Sequence, residues 1–257
     1  MRYFGVMRSR WLSSASCGAL LTVWGCSSPS SPEPPDDPPG IGLEGGSALV
    51  FEDGGLLDGE RDEIVRVIQE TVSAVRRLMN VAGVTIRVDA GTTYVIPEIG
   101  LGGRTNGTGE ILIVVNPDSP AIPESLSTEL FPLLAHEMHH VMRFRAAGFD
   151  SNLLGAMVTE GLADQFAIEV AGIDPPIWAT ALDPEELEIW SERARAHWFD
   201  SPYNHDAWFF GTGGEIPRWA GYAIGFELTR VYLLAKPDRP PSQLYGFPTS
   251  AFIPESE

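Results

Sequence analysis

Cysteine is scarce in this sequence, which has only two cysteines among its 257 residues, Cys17 and Cys26. Both lie within the first 26 positions, so the long stretch that follows contains no thiol. A protein stabilised by a disulfide framework would carry cysteines throughout its folded region. Disulfides are therefore excluded for residues 27–257, a stretch that is long enough to bury a substantial hydrophobic core.

Basic residues are also few. The chain has 17 lysines and arginines against 35 acidic residues, which gives a formal net charge of −18. The first 26 residues carry three arginines and no acid, so their removal would bring the charge to −21. Nucleic acid and anionic lipid are poor partners for so acidic a chain, because they carry charge of the same sign. The composition instead suits a solvated surface outside the cytoplasm.

Long hydrophobic runs are missing as well. Residues 11–24 follow three arginines and are moderately apolar, but such a segment is too short to cross a bilayer stably. It ends at Gly25 and Cys26, which resemble a bacterial lipobox, although Trp24 is an unusual residue there. We predict that residues 1–26 are a lipoprotein signal and that lipid on Cys26 is the membrane attachment of a protein in the periplasm or on the cell surface. A conventional signal peptide and an uncleaved anchor are the alternatives.

Residues 27–46 are rich in proline, serine and glycine. Such a composition cannot form a core and favours an extended, polyproline-like chain. We therefore predict a linker there, followed by one domain over residues 47–257. No period of 20–50 residues recurs, which makes solenoids and propellers unsuitable as fold models.

The most informative motif is HExxH, which occupies residues 136–140 within an apolar run. Positions four apart lie on one face of a helix, so His136 and His140 can bind the same metal ion. Imidazole nitrogen suits zinc, and Glu137 beside the metal can take a proton from the water that attacks a peptide carbonyl. We interpret His139 as a packed or solvated histidine. A helix that contains these residue types by chance is the alternative for the whole motif.

A catalytic zinc site needs a third protein ligand. Residues 153–168 have the apolar spacing of a helix, and Glu160 and Asp164 lie four residues apart on one face of it. We predict that Glu160 completes the ligands of one zinc ion. We also predict that Asp164 accepts the outward N–H of His136, which would fix the tautomer of that ligand. Ordinary surface charges on a helix are the alternatives for both acids.

HExxH followed by ExxxD resembles the gluzincin zinc metallopeptidases, of which thermolysin is a familiar member. The sequence is more similar to a bacterial family known as predicted zinc-dependent proteases, on three motifs within roughly residues 83–235. These are HExxHxxR ending at Arg143, Glu-Gly-Leu-Ala-Asp at 160–164 and Gly-Tyr-x-x-Gly at 221–225. The resemblance implies a zincin-like α+β fold, with a small mixed sheet followed by the HExxH helix and a helical C-terminal part. It also implies the ligands and the base predicted above.

Two residues are candidates for the neutral donor that stabilises the developing oxyanion together with zinc. Tyr222 lies in a helix predicted near residues 218–235, and His205 lies in an aromatic-rich loop before it. A packed aromatic ring and a solvated loop histidine are the alternatives. The spacing of Gly221 and Gly225 is more typical of close helix packing than of catalysis.

Upstream of the motif, residues 84–88 and 111–115 have the composition of strands. The glycine-rich stretch at 100–109 lacks the ending of a phosphate loop, so we predict a hairpin or a bulge. The strand at 111–115 could lie at the sheet edge and pair with extended peptide, or it could lie in the core. The HExxH helix is expected to begin near residues 128–130, because Pro132 fits only in a first turn.

These patterns favour a zinc-dependent peptidase that acts on a peptide or protein substrate, with Glu137 as the general base. The alternative is a non-catalytic surface lipoprotein in which zinc only joins two helices. A structural site needs no carboxylate beside an open ligand position, so Glu137 distinguishes the two hypotheses.

Overall fold

The computed structural model describes residues 40–107, 109–148 and 151–254. The predicted lipoprotein signal and most of the predicted linker therefore lie outside the described residues. Within these ranges, no helix combines the length and the apolar composition that a membrane span requires.

A five-stranded mixed sheet occupies the first half of the described chain. Its strands are β1 (Ile41–Gly42), β2 (Ala48–Phe51), β3 (Thr85–Ala90), β4 (Leu101–Thr105) and β5 (Glu110–Val115), in the spatial order β1-β2-β3-β5-β4. β2, β3 and β5 are parallel, and the two outer strands are antiparallel to their neighbours. β1 lies inside the range predicted as linker, so sheet pairing begins a few residues before position 47.

The position of β5 answers the question left open by its sequence. It lies between β3 and β4, so its core interpretation is confirmed and the edge interpretation is wrong. The edge next to it is β4, which forms the predicted hairpin with β5. Gly102 and Gly103 belong to this strand and not to the turn. A side chain on Gly102 would collide with the backbone of Tyr94.

Helices cover one face of the sheet and form the C-terminal half. They are α1 (Arg61–Leu78), α2 (Glu124–Thr128), α3 (Leu130–Ala147), α4 (Leu153–Ala171), α5 (Pro184–His197), α6 (His205–Phe210) and α7 (Ala220–Ala235). α1 buries Ile64, Ile68 and Val72 in the same core cluster as Ile86 and Ile111 of the sheet. The α+β prediction is confirmed: a small mixed sheet precedes the HExxH helix and a helical C-terminal part.

The two helices that carry the motif residues have defined ends. Pro132 lies in the first turn of α3, where its missing N–H leaves no helical hydrogen bond unmade. α3 ends before Gly148, whose φ is 74°. Asn152 caps α4 by accepting a hydrogen bond from the Gly155 N–H at 2.8 Å. Gly172 ends α4 in the left-handed conformation.

Glycines allow α7 to cross α4 closely. A Cβ on Gly161 would collide with the backbone of Gly225, and a Cβ on Gly225 would collide with the backbone of Met157. Close helix packing, the ordinary reading of the Gly-x-x-x-Gly spacing, is therefore confirmed. The crossing brings Tyr222, next to Gly221 on α7, against the part of α4 that carries Glu160.

Candidate metal centre

The predicted ligands come together between α3 and α4. The ligand atoms of His136, His140 and Glu160 all lie within 4.8 Å of one another. The Glu160 Oε2 atom is 3.1 Å from His136 Nε2 and 3.3 Å from His140 Nε2. The two imidazole rings meet edge to face, with their centroids 4.5 Å apart.

This geometry fits zinc. Two atoms bound to a tetrahedral zinc ion at about 2.0–2.1 Å are roughly 3.3 Å apart. The distances from Glu160 Oε2 to the two imidazole nitrogens are close to that value. Two imidazoles and one carboxylate are also a ligand set found in catalytic zinc sites.

The charges around the centre favour a cation. Burial opposes ionisation of Glu160, but His140 and His136 hold its pKa well below the usual value. Burial would lower the pKa of His136, but Asp164 and Glu160 raise it well above the usual value. The two carboxylates thus stabilise positive charge at the position where a metal ion would bind.

Asp164 lies beside His136, as its spacing predicted. The imidazole Nδ1 of His136 and the Asp164 Oδ1 are 2.8 Å apart, so the ring can donate to the carboxylate and direct Nε2 toward Glu160. The indole Nε1–H of Trp178 donates to the same carboxylate, at 3.0 Å from Oδ1 and 3.1 Å from Oδ2. Asp164 is buried, and its contacts with His136 and Trp178 fix the orientation of its carboxylate from two sides.

Glu137 faces the same space as the ligands but contacts the sheet. Its side chain is buried, and the Thr105 hydroxyl lies 2.8 Å from its Oε2. Gly103, on the same strand, leaves room for the Glu137 carboxylate. The predicted base is therefore held by β4, whereas the predicted ligands are held by helices.

A cleft of about 830 Å³ opens in front of the centre. Both predicted oxyanion donors line this cleft. The Tyr203 hydroxyl is 2.9 Å from the Nδ1 of His205, and the ring of Tyr222 meets Phe209 edge to face. The remaining wall is largely aromatic and apolar and includes Tyr94, Val95, Ile96, Leu133, Trp178, Phe210 and Trp219.

The pKa shifts of Tyr222, Tyr203 and His205 keep these three cleft residues neutral. Burial and the negative charge of Glu160 raise the pKa of Tyr222 well above its usual value. The same two causes raise the pKa of Tyr203 to about 12. Burial lowers the pKa of His205, against the opposing effect of Glu160. Each of these groups can therefore act as an uncharged hydrogen-bond donor near neutral pH.

His139 faces away from the cleft. It is fully buried, and its ring packs against Phe166 with centroids 5.5 Å apart. The interpretation as a packed histidine is confirmed. Arg143, four residues further along α3, is buried on this side as well and donates to the Thr159 hydroxyl at 2.9 Å and to the Phe247 carbonyl at 3.0 Å.

Two residues of the site were not predicted from the sequence. Trp178 reaches it from a loop and Thr105 from the edge strand, whereas Tyr203 belongs to the aromatic-rich loop that was expected to line a cleft. Each of the two unpredicted residues lies far along the chain from the groups it contacts, or in a segment without periodicity. Neither helical spacing nor a motif marks them, and only the tertiary fold brings them to the centre.

Comparisons with known proteins found a family and a relative that are similar to this chain. A family model described as Predicted Zn-dependent protease (DUF2268) matches residues 64–253, which is most of the chain. The chain is also 33% identical over 110 residues to the uncharacterized protein YjaZ of Bacillus subtilis (strain 168). That match covers 40% of this chain and 42% of YjaZ, so the chain spans about two fifths of that relative. No solved structure matches the chain.

Proposed function

The chain belongs to the family of predicted Zn-dependent proteases, and on this premise we propose that it is a zinc-dependent peptidase that hydrolyses peptide bonds. The observation that carries the proposal is the convergence of His136, His140 and Glu160 within 4.8 Å, beside a carboxylate that does not belong to the ligand set. A site that only joined two helices would not need Glu137 in the cleft.

The residues divide into binding and proton-transfer groups. His136, His140 and Glu160 would hold one zinc ion, with Asp164 fixing the orientation of His136. When bound, zinc would act as a Lewis acid and lower the pKa of water toward about 7. Glu137 would accept the proton that the attacking water loses, and would afterwards deliver it to the leaving amine.

Hydrolysis of a peptide places negative charge on the former carbonyl oxygen, and the cleft offers neutral donors for it. We propose Tyr222 as the main donor, because it lines the cleft together with the proposed ligands. Burial and the negative charge of Glu160 raise its pKa, so its hydroxyl keeps the proton that it would donate. His205 is the second candidate. Its Nδ1 is engaged by Tyr203, which leaves Nε2 as the atom that can face a substrate.

The edge strand β4 gives the cleft a means of holding an extended peptide. Asn106 N donates to Glu110 O, and Asn116 N donates to Gly100 O. Because hydrogen-bonded and non-hydrogen-bonded pairs alternate in an antiparallel ladder, the backbone groups of Gly103 and Thr105 point away from β5. We propose that substrate backbone pairs with this edge, and that the aromatic wall contacts its apolar side chains.

Substitution of the base tests the proposal. Glu137→Gln keeps the size of the side chain but removes the proton acceptor, so we expect zinc content to stay at that of the wild type and peptide cleavage to fall by about 100-fold or more. Zinc is measured on purified protein by elemental analysis, and cleavage with a peptide library and a chelator control. Glu192→Gln, an exposed substitution on α5, is the matched control and should change neither property.

The outcomes separate the two hypotheses for this chain. Zinc binding without any cleavage by the wild-type protein would favour a non-catalytic zinc-binding role. Equal cleavage by the wild type and by Glu137→Gln would exclude Glu137 as the base.

A further inference from the structure

The edge strand β4 holds the Glu137 side chain by two different means. The first is a hydrogen bond: Thr105 Oγ1 lies 2.8 Å from Glu137 Oε2 and 3.0 Å from the backbone oxygen of Glu137. A threonine hydroxyl has one proton to donate, and an ionised carboxylate is a stronger acceptor than a carbonyl. Thr105 therefore joins the strand to the side chain of the proposed base.

The second means is the space that Gly103 leaves because it has no side chain. Gly103 lies two residues before Thr105, so both present their side-chain positions to the same face of the sheet. A Cβ on Gly103 would lie 2.7 Å from Glu137 Oε1 and 2.8 Å from Glu137 Cγ. Gly103 is not among the residues with a positive φ, so its backbone conformation is open to alanine. The glycine is required by the space that the Glu137 carboxylate fills.

These two contacts restrict the positions of both carboxylate oxygens of Glu137. Oε1 lies against Gly103 and Oε2 against the Thr105 hydroxyl, while the Glu137 side chain is buried. A glutamate side chain has three rotatable bonds and would otherwise sample several rotamers. A proton acceptor that must reach water at one position loses rate when its oxygen moves by about 1 Å.

We propose that Thr105 and Gly103 are positioning residues that fix the Glu137 carboxylate for proton transfer. The proposal rests on the proposed function, in which Glu137 is the base. It adds that the strand offered to the substrate backbone is also the strand that places the base. The bound peptide and the proton acceptor would then both be held by β4.

Three substitutions test the Thr105 hydroxyl and the space at Gly103 separately. Thr105→Val keeps the branched shape and removes the hydroxyl, so we expect kcat to fall about 10- to 100-fold with KM within about twofold and zinc content unchanged. Thr105→Ser restores the hydroxyl and should return kcat to within about threefold of the wild type. Gly103→Ala should lower kcat in the same way, because its methyl group displaces the carboxylate.

The control and the contradicting outcomes are specific. Thr85→Val, also in a strand of the sheet, should leave kcat and KM unchanged. Wild-type kcat in Thr105→Val, a loss that Thr105→Ser does not rescue, or a loss of zinc from Thr105→Val would each overturn the proposal.

A second measurement does not depend on peptidase activity. A double-mutant cycle combines Thr105→Val with Glu137→Ala and compares the denaturation midpoints of the four proteins without metal. We expect Thr105→Val to lower the midpoint less in the E137A background than in the wild type. Additive effects would show that the two side chains are not coupled, and would overturn the proposal even in an active enzyme. An inactive wild type with a coupled cycle would instead contradict only the proposed function.

Discussion

The two faces of α3 carry similar residues in opposite surroundings. Each face is built on a pair four positions apart: His136 and His140 face the cleft, whereas His139 and Arg143 face the core. Carboxylates overcome the effect of burial and raise the pKa of His136. Burial, together with the neighbouring His140 and Arg143, holds the pKa of His139 well below its usual value. The environment, and not the residue type, separates a cation site from a packed core.

The comparison assigns a different role to each face of the helix that carries the HExxHxxR motif. The cleft face gathers carboxylates around imidazoles and is proposed to bind metal. The opposite face contacts α4 and the C-terminal segment, and Arg143 donates there to the Phe247 carbonyl and the Thr249 hydroxyl. Substitutions on one face should therefore change metal binding, and those on the other should change stability.

The largest effect is expected on the cleft side. Glu160→Ala removes a proposed ligand, so we expect zinc affinity to fall more than about 100-fold, since even residues that only support ligands contribute about 10- to 100-fold. Zinc bound to the native state also stabilises it. A chelator should therefore lower the melting temperature of the wild type and leave that of Glu160→Ala unchanged.

Glu169→Ala, on the same helix, is the control for this experiment. The Glu169 carboxylate accepts hydrogen bonds from the backbone and the hydroxyl of Ser242 at 2.7 Å, away from the centre. Its replacement should lower stability and leave zinc affinity unchanged. Zinc affinity like that of the wild type in Glu160→Ala would place the third ligand elsewhere.

An intermediate effect is expected from the core side. Arg143→Met keeps much of the buried volume but removes the hydrogen bonds to Thr159, Phe247 and Thr249. We expect the free energy of unfolding to fall by about 2–4 kcal/mol, because buried acceptors lose a charged donor. Denaturant titration measures this change, and zinc affinity should remain within about threefold of the wild type.

Arg145→Met provides the matched control, because Arg145 lies on the exposed side of α3 and donates to the carbonyl of Ala82 at 2.8 Å. An exposed hydrogen bond contributes less, and we expect a change below about 1 kcal/mol. Equal losses in Arg143→Met and Arg145→Met would contradict the assignment of a structural role to the core face.

Helical periodicity explains which contacts of the two faces could be predicted from the sequence. Spacings of four predicted the cluster of His136, His140 and Glu160, and also placed Asp164 beside His136, because these contacts need only two helices side by side. The start of α3 followed from Pro132. The sequence could not show that β4 is the edge strand, since pairing order depends on contacts between distant segments. It also gave no sign of Thr105, whose partner is 32 positions away.

The smallest effect is expected from His139→Phe. Burial keeps His139 uncharged, and the backbone of Pro241 offsets this only in part. A phenyl ring of similar shape can pack on Phe166 without the need to desolvate an imidazole, so the free energy of unfolding should change by less than about 1.5 kcal/mol. Zinc affinity should not change. The same substitution three positions earlier, His136→Phe, should abolish zinc binding. If His139→Phe also lost zinc, the division of α3 into a metal face and a core face would be wrong.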